Sequence, residues 1–498
     1  MKNKKILIVQ AMGMYDFLYL QIIPIIKKKE NCRIILLILN NEQLKKYKLV
    51  LSDDDEVFNL RNILTEKKHD KKKVLRESTY FEKKYGYIYI RDIIMQDRNY
   101  SSKYLNYSPY YVPDKNTEDD IYKVYSIINA AYSYIENIAT KNEILFAFLR
   151  PDTLYNAPIC TVLENNNVLV TVPVSSRYKD YATWSFGAYR GGDFIKYKSD
   201  SISNLDEEII NLIPENARYS SKRLSKSLSI DSYQLLLKDL IYELVDRLIF
   251  IYRAIIKFKW PDRRPFSGWL IKRFNSFLVS KWLIANKFHI SDNQPIEKYA
   301  VFFLGVQPEI TSHSISREFW DEKTIIQQIS VSLPSNYKLL LKEHPSGVGN
   351  KKLKYYKSLK KLPNIEILSF KDDSFQLLRN ASFIITIAGT VGVEASLLGK
   401  PVLVFSKRNW YNFLSNIYIA DNISDLSHLI NEITSNLESL DKNKIMEEAK
   451  NLFQALKENS FNAEGTPILR GNKKQMTELS IKKTIDILYD MKKFKAIN

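Results

Sequence analysis

Ala381–Phe405 reads ASFIITIAGTVGVEASLLGKPVLVF, and this stretch decides the fold. An apolar run, FIITIA, ends at Gly389 and Thr390. A helix pattern follows, Gly399 stops it, and Pro401 leads into a second apolar run. Strand, short loop, helix, strand is the unit of a parallel α/β sheet, whose strands are buried on both faces and therefore read as continuous apolar runs. In such a unit the first backbone N–H groups of the helix and its dipole favour an anion at the loop. Thr390 can add a hydroxyl there, and Gly389 lets a ligand approach the backbone. Glu394 lies four residues beyond Thr390 on the same helical face, placed to accept from ribose hydroxyls. A capping box would need a spacing of three.

Working outward, the same alternation continues in both directions. YAVFFLG (299–305), a helix over 321–332, YKLLLKEHP (337–345), a basic helix over 351–361, IEILSF (365–370) and a short helix over 374–380 precede the deciding stretch. Ligands of such a sheet bind beyond the carboxyl ends of its strands, so the loops there hold the candidate residues. In YKLLLKEHP, Pro345 ends the strand because it lacks an N–H. That places His344, a donor to a phosphate oxygen, at the strand's end, with Lys342 adding positive charge. In VFFLGVQPEITSHS (301–314) another strand end presents Gln307 and Glu309, followed by Ser312 and His313. Asp372, Asp373 and Ser374 read as a helix N-cap.

The N-terminal half opens with ILIV (6–9), a glycine-containing loop and a helix candidate leading to CRIILLIL (32–39), with further strands expected at EILFAFL (143–149) and VLVTVPV (168–174). A charged start followed by apolar residues resembles a signal segment. Asp16, Gln10 and Gln21 interrupt it, so strand, loop and helix is the expectation. At 498 residues the chain exceeds one ordinary core. The expected domains are 1–295, an α/β acceptor-side unit with helical insertions; 296–430, a Rossmann-like nucleotide-sugar unit; and 431–498, C-terminal helices.

A net charge of +18, from 74 Lys and Arg against 56 Asp and Glu, implies an anionic partner. The basic residues are spread along the chain without a reader motif, so nucleic acid is not the expected partner. Two cysteines, Cys32 and Cys160, offer neither a disulfide framework nor a zinc site, and no metal or cofactor is expected. In LIKRFNSFLVSKWLIANKF (270–288), Phe274, Phe277, Leu278, Trp282, Ala285 and Phe288 recur at helical spacing. That stripe is expected to face the core, with docking on an anionic membrane surface as the rival reading.

Taken together, QPE after a strand, a strand ending KEHP, LPN, a DDS helix start and GTVGVEASLLGKPV resemble the capsule and surface polysaccharide biosynthesis family, which includes Kdo transferases of GT-B architecture. The likeness covers about residues 299–407. YFEKKYG (80–86), Asp97–Arg98 and SSR (175–177) look similar with less specificity. The resemblance implies two Rossmann-like domains facing a cleft. It also implies donor phosphate contacts from His344, Pro345 and the Thr390 loop, and a nucleotide-activated donor such as CMP-Kdo or a similar acidic sugar. The implied acceptor is a polysaccharide or glycolipid, and the implied location is the cytoplasm or the inner face of the cell membrane. For the base that deprotonates the acceptor, Asp16 is the first candidate and Glu309 the second. The rival functions are a sugar-nucleotide epimerase of the same fold and a non-catalytic capsule assembly or export protein.

Overall fold

The computed structural model describes residues 4–497 apart from 64–69, 87–88, 98–116, 189–190, 215–233, most of 235–265, 287–297, 307–315, 317–318, 320 and 474. Two parallel sheets organise the chain. The first contains β1 (Ile6–Gln10), β2 (Arg33–Ile38), β3 (Glu56–Asn59), β4 (Ile144–Phe148) and β5 (Val170–Thr171), in the spatial order β3-β2-β1-β4-β5. Alternate residues of its strands enter two different cores. Leu7, Val9, Leu36, Phe146 and Phe148 face helices Asp16–Glu30 and Glu478–Ile497, while Ile6, Ile8, Ile35, Leu37 and Ala147 face helices Thr117–Ala139 and Asn156–Asn165. Burial on both faces is why these strands show no polar alternation.

VLVTVPV does not form one strand. After β5 the chain bends at Val172 into β6 (Pro173–Ser175), which pairs antiparallel with β7 (Tyr181–Trp184).

The second sheet contains β8 (Lys298–Phe303), β9 (Tyr337–Lys342), β10 (Ile365–Leu368), β11 (Phe383–Thr386), β12 (Val402–Val404) and β13 (Ile417–Ile419). All its pairings are parallel, in the order β10-β9-β8-β11-β12-β13. Two Rossmann-like sheets in one chain are the α/β GT-B layout.

The tail divides between the two halves. Helix Lys442–Glu458 buries Ala449, Leu452 and Phe453 against the second sheet. β14 (Phe461–Asn462) then pairs with β7, and helix Glu478–Ile497 returns to the first sheet, where the Trp184 indole donates to the Thr484 carbonyl at 2.8 Å.

Helix Phe266–Ala285 corrects the stripe read from its sequence. Phe277 is buried, but Phe274 is 56% exposed and Leu278 41% exposed, and the buried face runs through Ser276, Val279, Ser280 and Leu283. Backbone proximity is the reason. Gly349, at φ +88°, packs so closely on Ser276 that no side chain fits between them, and Asn275 Nδ2 donates to the Gly349 carbonyl at 2.9 Å. Ser276 faces the neighbouring loop while Phe274 and Leu278 are turned outward, so of the predicted stripe Phe277 and Trp282 pack inward and Phe274 and Leu278 do not. Phe288 lies outside the described residues.

Candidate active site

Strand order reverses between β8 and β11, because the chain runs from β8 through β9 to β10 in one direction and from β11 through β12 to β13 in the other. Thr386 is in register with Phe303, so these two strands end side by side at the reversal, the position at which ligands of open parallel sheets bind.

On the β11 side, Thr386 Oγ1 accepts from Gly389 N at 3.0 Å and turns the chain sharply. A side chain at Gly389 would meet that hydroxyl at 2.5 Å, so the position requires glycine. Tyr411 OH donates to the Gly389 carbonyl at 2.6 Å, and its ring packs on Gly392. Helix Val391–Ser396 begins directly afterwards. Thr390 occupies its N-cap position with a helical backbone and makes no side-chain cap bond, so its hydroxyl does not satisfy the first turn. Glu394 is partly exposed on that turn. Asp373, by contrast, does cap its helix, accepting from Phe375 N at 2.8 Å.

On the other side of β8 lies the end of β9. Pro345 starts a one-turn 3-10 helix over Pro345–Gly347, and the exposed His344 caps it, Nδ1 accepting from Ser346 N at 3.0 Å. That bond leaves Nε2 as the N–H of the neutral ring, a donor suited to a phosphate oxygen. Lys342 is buried, and its ammonium donates to the Ser369 carbonyl at 2.9 Å, tying β9 to the loop after β10.

The loops after β8 and β9 share a buried ion cluster that the sequence reading does not find. Lys351, 1% exposed, sits between Glu322 and Glu343, both fully buried, at 2.8 and 3.1 Å from their Oε2 atoms. Tyr355 OH donates to Glu322 Oε2 at 3.2 Å and Tyr356 OH to Glu343 Oε2 at 2.5 Å. Each carboxylate's Oε1 accepts from a loop backbone: Gly305 N to Glu322 at 2.8 Å, and His344 N to Glu343 at 2.9 Å. Burial would pull the Lys351 ammonium down, but the two carboxylates outweigh it and hold it above its ordinary value. The cluster fixes the loops after β8 and β9 to each other. Lys351 stands in a lysine-rich helix start, KKLKYY, where nothing local distinguishes a buried ammonium from a solvated one.

Gln307 and Glu309, with Ser312 and His313, lie outside the described residues. Asp16 follows β1, at the corresponding strand end of the first sheet, and is 4% exposed. Its Oδ1 accepts from Met12 N and Tyr47 OH, both at 2.9 Å, and its Oδ2 pairs with Lys46 Nζ at 3.0 Å. These bonds fold the loop after β1 onto its own domain. Asp97 is likewise buried, accepting from Leu154 N at 3.1 Å, while Arg98 lies outside the described residues.

Residues 285–415 match the family described as "Capsule polysaccharide biosynthesis protein", over a span that contains β8 to β12 and every loop named above on the second sheet. No curated protein sequence matches the chain. Among solved structures, the chain is similar to MnaA of S. aureus in a structure with UDP, at 11% identity and a TM-score of 0.27, over 91% of this chain and 94% of that one. It is similar to a glycosyltransferase from Rickettsia africae at 12% identity and a TM-score of 0.29, over 98% and 99%. A third likeness is to KpsC of Thermosulfurimonas dismutans, a β-Kdo 2,7 transferase, at 14% identity and a TM-score of 0.27, over 60% and 78%. Identities this low say nothing of substrate. Among the described residues, no helix is long and apolar enough to cross a membrane, and no group of three His, Cys, Asp or Glu side chains comes together around a metal position.

Proposed function

We propose that this protein is a glycosyltransferase of capsule or surface polysaccharide synthesis that moves a sugar from a nucleotide-activated donor to a surface or capsular polysaccharide or glycolipid. The observation that carries the reading is the pairing, across one switch point, of an uncapped helix start at Thr390 with the outward-placed imidazole of His344. Glycosyl transfer needs the departing phosphate's charge stabilised and the acceptor hydroxyl deprotonated. His344 Nε2–H, the Thr390 hydroxyl and the first helix amides serve the first need, with Pro345 shaping the His344 loop and Gly389 opening the approach. Glu394 and Gln307 are assigned to the nucleotide's ribose and base. Lys342 acts from below, holding the loop after β10.

For the second need, Glu309 is favoured over Asp16, whose carboxylate is already engaged by three donors of its own domain. The donor proposed is CMP-Kdo or a similar acidic sugar nucleotide, and the protein is proposed to work in the cytoplasm. The exposed Phe274 and Leu278, beside the exposed Lys281, support peripheral contact with the inner face of the membrane.

Nucleotide release from CMP-, UDP- and GDP-sugars is the test, with and without a capsular or lipid-linked oligosaccharide acceptor. Release that depends on acceptor supports transfer. Conversion of donor alone into an isomer would make the protein an epimerase, and no turnover in either case would make it a non-catalytic partner.

A further inference from the structure

The loop after β12 adds a binding group that neither the family resemblance nor the switch-point geometry assigns. Ser406–Asn412 is a compact turn: Arg408 N donates to Ser406 Oγ at 3.1 Å, and Asn412 Nδ2 to the Ser406 carbonyl at 2.6 Å. It is fastened to the Gly389 loop by the Tyr411 hydroxyl, and its ring lies where a side chain at Gly392 would come within 2.8 Å. Inside this turn Asn409 is 3% exposed, yet neither Nδ2 nor Oδ1 has a partner. Among the described residues it is the one side-chain amide orphaned at both ends. A buried polar group left unpaired is costly, so such a residue is expected to meet a partner in the working state.

The chemistry of the amide narrows that partner. It offers two donors and a two-lone-pair acceptor, so a pyrophosphate, which only accepts, would leave Oδ1 unpaired. Sugar hydroxyls donate and accept alike. Position points the same way. The backbone of the next residue, Trp410, lies against the N-terminal half, where a side chain at Gly192 would come within 2.7 Å of the Trp410 carbonyl. A reacting sugar must sit at that border, because its acceptor approaches from the other half.

We propose that Asn409 hydrogen-bonds the hydroxyl groups of the donor sugar and so distinguishes a sugar nucleotide from the bare nucleotide. This rests on the glycosyltransferase reading. Its test is thermal unfolding and calorimetric titration of the full chain with CMP, UDP and GDP and with CMP-Kdo, UDP-N-acetylglucosamine and GDP-mannose. Wild type is run beside Asn409→Leu, which removes the amide's polarity at similar volume, and Asn409→Asp, which keeps its shape and removes its donors. Without ligand, Asn409→Leu unfolds no lower than wild type. Both variants bind the bare nucleotide within about twofold of wild type, and they bind its sugar conjugate roughly tenfold or more weakly, the loss of one to two hydrogen bonds.

Unchanged conjugate binding overturns the assignment. Equal loss for nucleotide and conjugate gives the amide to the nucleotide instead, and a ligand-free Asn409→Leu several degrees less stable gives it to bound water. If no nucleotide or conjugate stabilises even the wild type, the glycosyltransferase reading itself fails, a result distinct from the other three.

Discussion

The two sheets use polar side chains at their strand ends in opposite ways. After β1, the Asp16 carboxylate is consumed inside its own domain by Met12, Tyr47 and Lys46. After β8 and β9, polar groups lie in two layers. Glu322, Lys351 and Glu343 satisfy one another and the loop backbones in the interior, while the His344 side chain is exposed. A carboxylate at a strand's end therefore says little about function until its partners are known.

Removing the lower layer sharpens the contrast most. Lys351→Met strands two carboxylates away from water and should cost about 3–5 kcal/mol in urea unfolding, because a buried charge without its partner is far costlier than the pair. A loss below about 1 kcal/mol would mean that the cluster is hydrated and does not fix the loops. Asp16→Ala should cost less, about 1–3 kcal/mol, through the unpaired Met12 amide and Tyr47 hydroxyl. Nucleotide binding by the second sheet should be unchanged in that variant. An Asp16→Asn protein that folds, binds donor and fails only in transfer would restore Asp16 as the base. Smaller still is the difference between two helix starts. Asp373→Ala should lose about 1 kcal/mol, the usual worth of an N-cap, whereas Thr390→Ala should lose only a few tenths because its hydroxyl caps nothing. Equal losses would place Thr390 among ordinary caps.

Much of this was legible in the sequence. β8, β9, β10, β11 and β12 fall where the apolar runs place them, since strands buried on both faces cannot hide among polar residues. The DDS helix start behaves as its spacing implies. Short or half-exposed strands left weaker signals: β13 and β3 are brief, and their residues are intermediate or exposed in burial. The stripe on Phe266–Ala285 held for Phe277 and Trp282 but not for Phe274 and Leu278, because Ser276 seats the helix against Gly349. KEHP was legible as a strand end, but not the directions of its side chains. Lys342 and Glu343 turn inward to Ser369 and Lys351, and only His344 turns outward. The partners that set those directions are 8 and 27 residues away in sequence, beyond any local pattern.

The most direct measurement is the stabilisation of the full chain by CMP, UDP and GDP, compared between wild type and His344→Ala. A nucleotide present at about 100 times its dissociation constant should add roughly 2.7 kcal/mol to the wild type. The account predicts that one nucleotide does so, and that His344→Ala, folded and losing no more than about 1 kcal/mol with its Ser346 bond, responds far less. Equal stabilisation of both proteins would contradict a phosphate site built on His344 and Thr390.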